Sequence, residues 1–229
     1  MYDFEEACPV SKAASILCER WTLQIIREML LGATRFSELQ KYLPKMSPTL
    51  LNARLRSLEE HGILVRKKVP EKKSYEYRLT PSGLQLKSVV REMGKWGMQW
   101  VFGTMNPEQL NLSVIIRDYA VALDTDQLPT GDTTIQFTVT GAREPTKKFV
   151  LVREGHKQVC DENIGTDVDV YLTASLKTLG QIWFGEQSIS AARDTGLLKV
   201  IGPPFYTNNL SKWLRTSQFA PFNRNFEKG

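Results

Sequence analysis

Residues 47–60 read SPTLLNARLRSLEE, and this stretch decides how the front of the chain folds. Ser47 is a good helix N-cap, and Pro48 is pre-organised for the first helical position. Leucines then recur at helical spacing, and His61-Gly62 ends the run. The pattern predicts a helix from Ser47 to Glu60 with one polar and one apolar face. The apolar face is formed by Leu51, Leu55 and Leu58, with Leu50 beside them.

The segments on either side complete a recognisable order of elements. Helical periodicity also predicts the helices Ser11–Leu17, Thr22–Leu31 and Phe36–Leu43 before it. After Gly62 the period becomes two, which predicts a hairpin with a basic tip, and Thr80-Pro81 then caps a helix that reaches Val101. The two strands of the hairpin are Ile63–Val69 and Ser74–Leu79. Four helices, a basic hairpin and a further helix are the order of a winged helix-turn-helix.

In that fold, the helix from Ser47 to Glu60 would enter the major groove of double-stranded DNA. Asn can bind adenine and Arg can bind guanine through paired hydrogen bonds. The predicted base-reading residues are Thr49, Asn52, Ala53 and Arg56, with Arg54 at their margin. The predicted phosphate contacts are Ser47, Arg66, Lys67, Lys68, Lys72, Lys73 and Arg78. Each element alone also suits a merely solvated surface, and only their combined order and charge favour DNA binding.

The charge distribution supports a polyanionic partner for the front half only. Residues 1–104 carry 17 Lys and Arg against 11 Asp and Glu, whereas residues 105–229 carry 13 against 14. The chain has no apolar run long enough for a transmembrane helix and no apolar stretch typical of a signal peptide, so no membrane partner is expected. Its three cysteines show no CxxC spacing, which fits a reducing cytoplasm.

The second half of the chain has a different pattern and is predicted to be α+β. Residues 133–141 alternate, with Ile135, Phe137 and Val139 on one face, and further strand-like and helical segments follow. The last of these is a helix expected from about Asn208 to Arg215, and His156 is expected in a turn. Gly103 and Asn106-Pro107 interrupt the preceding helix. We therefore expect two domains, at residues 1–104 and 105–229.

Five motifs follow one another along the front half of the chain, namely Cys8-Pro9-Val10, Arg20–Met29, Arg35–Leu39, Met46–Leu55 and Tyr77–Gly83. In this order they resemble the HxlR family of bacterial transcriptional regulators. The resemblance covers about residues 5–102, and it implies a homodimer on a palindromic operator, built from the first and last helices. The stripe Val89, Met93, Trp96 and Trp100 would suit that interface, or equally a core.

The same resemblance raises the question of whether Cys8 is a redox sensor. In several members of the family, a cysteine at this position senses oxidants, quinones or aldehydes. A site just ahead of a helix favours the reactive thiolate, whereas the neighbouring Glu5 and Glu6 would raise the pKa of the thiol. Packing is the alternative role, and it is the one expected of Cys18 and Cys160.

The segment Asp167–Glu186, together with Leu197–Gly202 and Leu210–Leu214, resembles the sterol carrier protein-2 fold. The resemblance spans about residues 108–216 and implies an SCP2-like α/β sandwich domain, in which helices cover a sheet and an apolar cavity lies between the layers. A small apolar or lipid-like ligand would then contact six residues, although aromatic residues on helices that cover a sheet more often belong to the core. The six are Ile182, Trp183, Phe184, Phe205, Tyr206 and Trp213.

Catalytic motifs are missing from the sequence. Neither His61 nor His156 has a nucleophile or metal-ligand partner at a recognisable spacing, so no enzyme, metal or cofactor is expected. Three hypotheses stay open: a ligand-responsive regulator, most simply a repressor; a regulator whose second domain is only a scaffold; and a lipid-binding carrier whose front half is an interaction module.

Overall fold

The computed structural model describes residues 7–70, 74–141, 143–163 and 165–224. The chain divides into two compact units within one long helix, the first ending at Met93 and the second beginning at Gly94. The predicted domain boundary near residue 104 lies after the end of that helix and stays a prediction. Among the helices of the described residues, none combines the length and the apolar character needed to span a membrane.

In its described residues, the first unit contains four helices, a hairpin and the start of a fifth helix, in the predicted order. Its four complete helices are α1 (Pro9–Leu17), α2 (Thr22–Leu30), α3 (Phe36–Tyr42) and α4 (Pro48–Glu60). The hairpin consists of β1 (Leu64–Lys68) and β2 (Tyr75–Leu79), and α5 (Pro81–Trp100) follows. The predicted winged helix-turn-helix is confirmed.

Local sequence and burial explain why α4 is placed as it is. The Ser47 hydroxyl accepts a hydrogen bond from the backbone N–H of Leu50 at 3.3 Å, so it caps the helix. Leu51, Leu55 and Leu58 are buried in the core of this unit, together with residues of α2 and α3. Burying each leucine contributes about 1.5–3 kcal/mol, which fixes the apolar face inward and turns the polar face outward.

The hairpin is joined to the residues that precede α3 through an isolated β-bridge and a backbone hydrogen bond. Leu64 pairs with Leu79 in the antiparallel ladder, and Arg35 forms an isolated bridge with Glu76. The backbone N–H of Tyr77 also donates to the carbonyl of Thr34 at 2.7 Å. These bonds hold the hairpin, which we call the wing, beside α3.

The second unit is built on a five-stranded sheet with the order β5-β4-β3-β6-β7. All neighbouring strands are antiparallel except β3 and β6, which are parallel. The strands are β3 (Thr133–Thr140), β4 (Thr146–Arg153), β5 (His156–Cys160), β6 (Val170–Ser175) and β7 (Leu198–Ile201). The helices are α6 (Leu112–Ala122), α7 (Leu176–Phe184), α8 (Ile189–Asp194), α9 (Pro204–Asn208) and α10 (Leu210–Trp213).

The core of this unit lies between the helices and one face of the sheet. Ile135, Phe137 and Val139 supply the sheet side, as the alternating pattern predicted. Tyr119 of α6 is fully buried, and its hydroxyl donates to the carbonyl of Leu179 at 2.8 Å. Its ring lies 5.0 Å from that of Trp183, edge to face. Burial raises the pKa of the Tyr119 hydroxyl, which therefore remains protonated and donating.

Three features of the second unit differ from the sequence predictions. Helix α6 was not predicted, although Asn111 caps it by accepting from the N–H of Val114 at 3.2 Å. The final helix was expected from about Asn208 to Arg215, but the chain forms the shorter α9 and α10 there. His156, expected in a turn, begins β5, because Glu154 and Gly155 with positive φ complete the turn before it.

A segment near the carboxyl end, residues 217–224, packs on α5 and α7. The ring of Phe219 occupies the space next to Gly94, where a Cβ atom would collide with it. The N–H of Ser217 donates to the Trp183 carbonyl at 3.0 Å, and the Asn223 amide donates to the Phe184 carbonyl at 2.9 Å. This segment therefore holds the last turns of α5 beside the helix α7.

Candidate nucleic-acid interface

The outward side of α4 presents the residues predicted to read bases. Thr49, Asn52, Ala53 and Arg56 are all exposed, and we call them the reading face. Among the described residues, neither Asn52 nor Arg56 has a hydrogen-bond or ion-pair partner. The amide and the guanidinium are therefore available to an external ligand, whereas the leucines of the same helix are committed to the core.

Arg54 differs from the reading face because its side chain is engaged. Its Nε donates to the backbone carbonyl of Arg20 at 3.0 Å, and its Nη2 forms an ion pair with Glu19. Sequence reasoning placed Arg54 at the margin of the reading face and did not identify Glu19. A contact between residues so far apart in the sequence leaves no local signal.

The wing carries an exposed row of cations. Arg66, Lys67 and Lys68 of β1 and Arg78 of β2 are all exposed, whereas Lys72 and Lys73 lie outside the described residues. The Arg66 guanidinium lies over the ring of Tyr75, 3.6 Å from its centroid, and its backbone N–H donates to Glu59 at 3.3 Å. Stacking on an aromatic ring orients the guanidinium without neutralising its charge.

One carboxylate connects the cations of the wing to α3. Glu76 accepts from Arg78 at 2.9 Å and lies 3.8 Å from the guanidinium of Arg35. Arg35, which precedes α3, was not among the predicted DNA contacts. Glu76 therefore offsets part of the charge of Arg78 and Arg35. Among the described residues, no carboxylate forms an ion pair with the cations of β1.

Cys8 occupies the N-cap position of α1 and is exposed. The backbone N–H of Ser11, followed by that of Val10 and the Ser11 hydroxyl, lowers the pKa of the Cys8 thiol below its ordinary value. Glu5 and Glu6, the residues expected to oppose this, lie outside the described residues. Cys160 is half-buried, but Cys18 is exposed, so its predicted packing role is wrong.

Helix α5 presents large apolar side chains to solvent. Val89, Met93, Trp96 and Trp100 follow helical spacing along one side, and the two tryptophans are 62% and 58% exposed. The Arg224 guanidinium lies 4.2 Å from the ring centroid of Trp100. Exposed aromatic surface of this kind is typical of an interaction surface.

The six residues predicted to contact a ligand are mostly core residues. Ile182, Trp183, Tyr206 and Trp213 are buried, whereas Phe184 is half-buried and Phe205 is exposed. Trp213 donates from Nε1 to the Tyr206 carbonyl at 3.0 Å. A shallow depression of the same unit lies between residues 125–132 and residues 152–155, and none of the six lines it.

The part of the chain that the structure describes contains no cluster of side chains that could hold a metal ion. No three His, Cys, Asp or Glu side chains are grouped there as metal ligands would be. The His61 ring bonds through Nδ1 to the Ser57 carbonyl at 2.7 Å, which closes the end of α4.

Comparison with known proteins identifies the front part of the chain. Residues 16–104 match the model of the HxlR-like helix-turn-helix family. The regulator YvaP of Bacillus subtilis is 39% identical over 98 residues, which cover 42% of this chain and 91% of YvaP. YodB of the same organism is 36% identical over 95 residues, 41% of this chain and 85% of YodB.

One solved structure of a relative is the crystal structure of quinone-bound YodB. The aligned residues are 35% identical and cover 41% of this chain and 100% of the YodB chain, with a TM-score of 0.36. The sequence matches to YvaP and YodB span most of each relative and fall on the winged helix-turn-helix described above. The chain belongs to the HxlR-like helix-turn-helix family and is a transcriptional regulator.

Proposed function

We propose that the protein represses transcription by binding a palindromic operator as a homodimer. The observation that carries this proposal is the reading face, whose Asn52 and Arg56 are exposed while the leucines behind them are fixed in the core. Asn52 would bind adenine and Arg56 guanine, with Thr49 and Ala53 beside them in the major groove. Repression is the simplest output, because a dimer over a promoter blocks polymerase without further components, and its place of action is the cytoplasm.

Phosphates would be bound by two groups of residues around the reading face. Ser47 and the backbone N–H groups that begin α4 form one group. The other group is the wing, with Arg66, Lys67, Lys68, Lys72, Lys73 and Arg78. Such contacts set the grip and register on DNA rather than the choice of sequence.

The apolar side of α5 supports the proposed dimer. Val89, Met93, Trp96 and Trp100 are large, exposed and aligned, so covering them with the same helix of a second copy removes apolar surface from water. A symmetric dimer would place two recognition helices about 34–36 Å apart, one turn of the DNA helix.

For the second unit, we propose an SCP2-like domain that senses a small apolar ligand. A sheet covered by helices on its inner face, with Tyr119, Trp183 and Trp213 in the core, supports this proposal. Of the six predicted contacts, only Phe184 and Phe205 retain appreciable exposed surface, so a ligand would meet these rings first. A ligand changes DNA binding only by its difference in affinity for the two forms of the dimer.

A mobility-shift titration on the DNA upstream of the protein's own gene tests these proposals together. We expect a shift whose log affinity falls with log salt by about 0.9 per phosphate contact, and which a lipid extract of the host changes. A shift indifferent to the extract would reduce the second unit to a scaffold. No shift, or one with little salt dependence, would instead support a lipid carrier whose front half is an interaction module.

We also propose that oxidation or alkylation of Cys8 changes DNA binding, in addition to the ligand of the second unit. The exposure of Cys8 and the lowered pKa of its thiol support this proposal. The lowered pKa makes thiolate available at lower pH, so we expect iodoacetamide to label Cys8 with a pH midpoint below that of an ordinary thiol. The measurement uses a C18S/C160S variant, folded and in urea, with a C8S/C160S variant that keeps the exposed Cys18 as the control. Equal midpoints for Cys8 in the folded and unfolded chain would contradict the prediction.

A further inference from the structure

We propose that Arg54 is a positioning residue, which fixes the recognition helix α4 to the connection between α1 and α2 and does not bind DNA. The inference rests on the proposed function of α4 as the DNA-reading helix. It assigns Arg54 a different role from that of its neighbours Asn52 and Arg56, although all three lie in the same turns of the helix.

The contacts of the Arg54 guanidinium are directed inward. Nε donates to the Arg20 carbonyl at 3.0 Å, and Nη2 pairs with the Glu19 carboxylate. The two charged side chains are only 22% and 24% exposed, so solvent screens their ion pair less than it screens a pair on the open surface. A guanidinium that donates in two directions to one short segment holds that segment in a defined orientation.

The segment that receives these bonds has an unusual backbone. Trp21, directly after the Arg20 carbonyl, has φ of +77°, a conformation that a bulky side chain rarely adopts. The Arg20 guanidinium lies 5.6 Å from the centroid of the Trp21 ring. Such a conformation costs about 1–3 kcal/mol and persists only where the surroundings determine it. The hydrogen bond from Arg54 to the Arg20 carbonyl is one of the contacts that hold Trp21 in this conformation.

Positioning matters because base reading depends on short distances. Paired hydrogen bonds between Asn or Arg and a base require donor–acceptor distances of about 2.7–3.2 Å. A displacement of α4 by about 1 Å would therefore break the contacts of Asn52 and Arg56 together. Glu19 lies just after the end of α1, and Cys8 lies directly before its start. The Glu19–Arg54 pair therefore connects the end of the helix that Cys8 precedes to the proposed DNA-reading helix α4.

The direction in which Glu19→Gln changes operator affinity distinguishes a positioning role of Arg54 from direct contact with DNA. Glu19→Gln removes a negative charge and the ion pair with Arg54. If Arg54 contacted DNA, this variant would bind operator as tightly as the parent or more tightly. A positioning Arg54 predicts the opposite result. We expect Glu19→Gln, Arg54→Gln and the double variant each to weaken operator binding by about tenfold, because each removes the Glu19–Arg54 ion pair.

The experiment measures affinity for operator and for random DNA over a range of salt, with folding checked by circular dichroism. Glu60→Gln is the matched control, since Glu60 is an exposed glutamate of α4 and its loss changes the charge by the same amount. Arg54→Lys keeps the charge and tests the geometry in a milder variant. We expect it to lose operator affinity as Arg54→Gln does, with an unchanged salt slope.

Two results would overturn the assignment of Arg54. The first is a Glu19→Gln variant that binds operator as tightly as the parent, and the second is a fall of about 0.9 in the salt slope for Arg54→Gln, the mark of a lost phosphate contact. A parent protein that does not distinguish operator from random DNA would instead overturn the proposed function itself.

Discussion

Arg56→Ala and Asn52→Ala are each expected to weaken operator binding by about 1–3 kcal/mol, with little change in affinity for random DNA. Both side chains are exposed on α4 and, within the described residues, have no partner inside the protein. Their removal would therefore delete the proposed base contacts without disturbing the core. The measurement is a titration of operator and of a scrambled duplex of the same length and composition, at one salt concentration.

Lys67→Ala is the matched control for these two variants. Lys67 is an exposed cation of the wing and is proposed to contact phosphate, so its loss should weaken binding to both duplexes alike. It should also reduce the salt slope by about 0.9. If Asn52→Ala and Arg56→Ala behave in the same way as Lys67→Ala, the reading face has been placed on the wrong residues.

Trp213→Ala is expected to lower the free energy of unfolding of the second unit by about 3–5 kcal/mol, because it leaves a large cavity. Trp213 is fully buried, its ring lies 6.4 Å from that of Tyr206, and its Nε1 donates to the Tyr206 carbonyl. Urea unfolding followed by circular dichroism measures the loss, since the substitution also removes a fluorophore.

Phe205→Ala provides the comparison for this variant. Phe205 is also aromatic and was also predicted to contact a ligand, but it is 47% exposed. We therefore expect a smaller loss of stability, of about 1 kcal/mol or less. Equal effects of the two substitutions would show that the burial of Trp213 does not determine the stability of this unit.

The fold of the first unit could be predicted because its signals are local. A serine cap, leucines at helical spacing and a stop at Gly62 all lie within α4 or at its ends, and the structure places Leu51 and Leu58 as predicted. The wing likewise follows from two alternating segments around a polar tip. Each of these elements is determined by neighbours in the sequence.

The second unit could be predicted less well, because its elements depend on packing. Helix α6 is apolar on nearly all sides, from Ile115 and Ile116 to Tyr119, so its periodicity is weak. Only the cap residue Asn111 gave a local sign of where it begins. Strand β5 is short and polar, and its pairing with β4 holds it in the sheet. No local sequence pattern predicts that pairing.

The interface shows the same division between local and distant information. The exposed reading face follows from the helical period of α4, whereas the engagement of Arg54 depends on Glu19 and Arg20 in another element. The candidate ligand residues illustrate a different limit. An aromatic residue that lines a cavity and one that fills a core have the same pattern, and Trp183 and Trp213 are buried in the core.

Gly94 offers a way to recognise, from sequence alone, which regulators of this family carry a second unit. The Phe219 ring lies where the Cβ atom of a larger residue at position 94 would be, so a substitution there requires the ring to shift. Phe219 itself lies outside residues 16–104, which match the family. The match to YvaP covers 91% of that protein, which leaves it little chain in which to place a ring against the corresponding helix. We expect single-unit relatives to accept larger residues at this position, so that a glycine there becomes a marker in genome sequences for regulators that acquired a second unit.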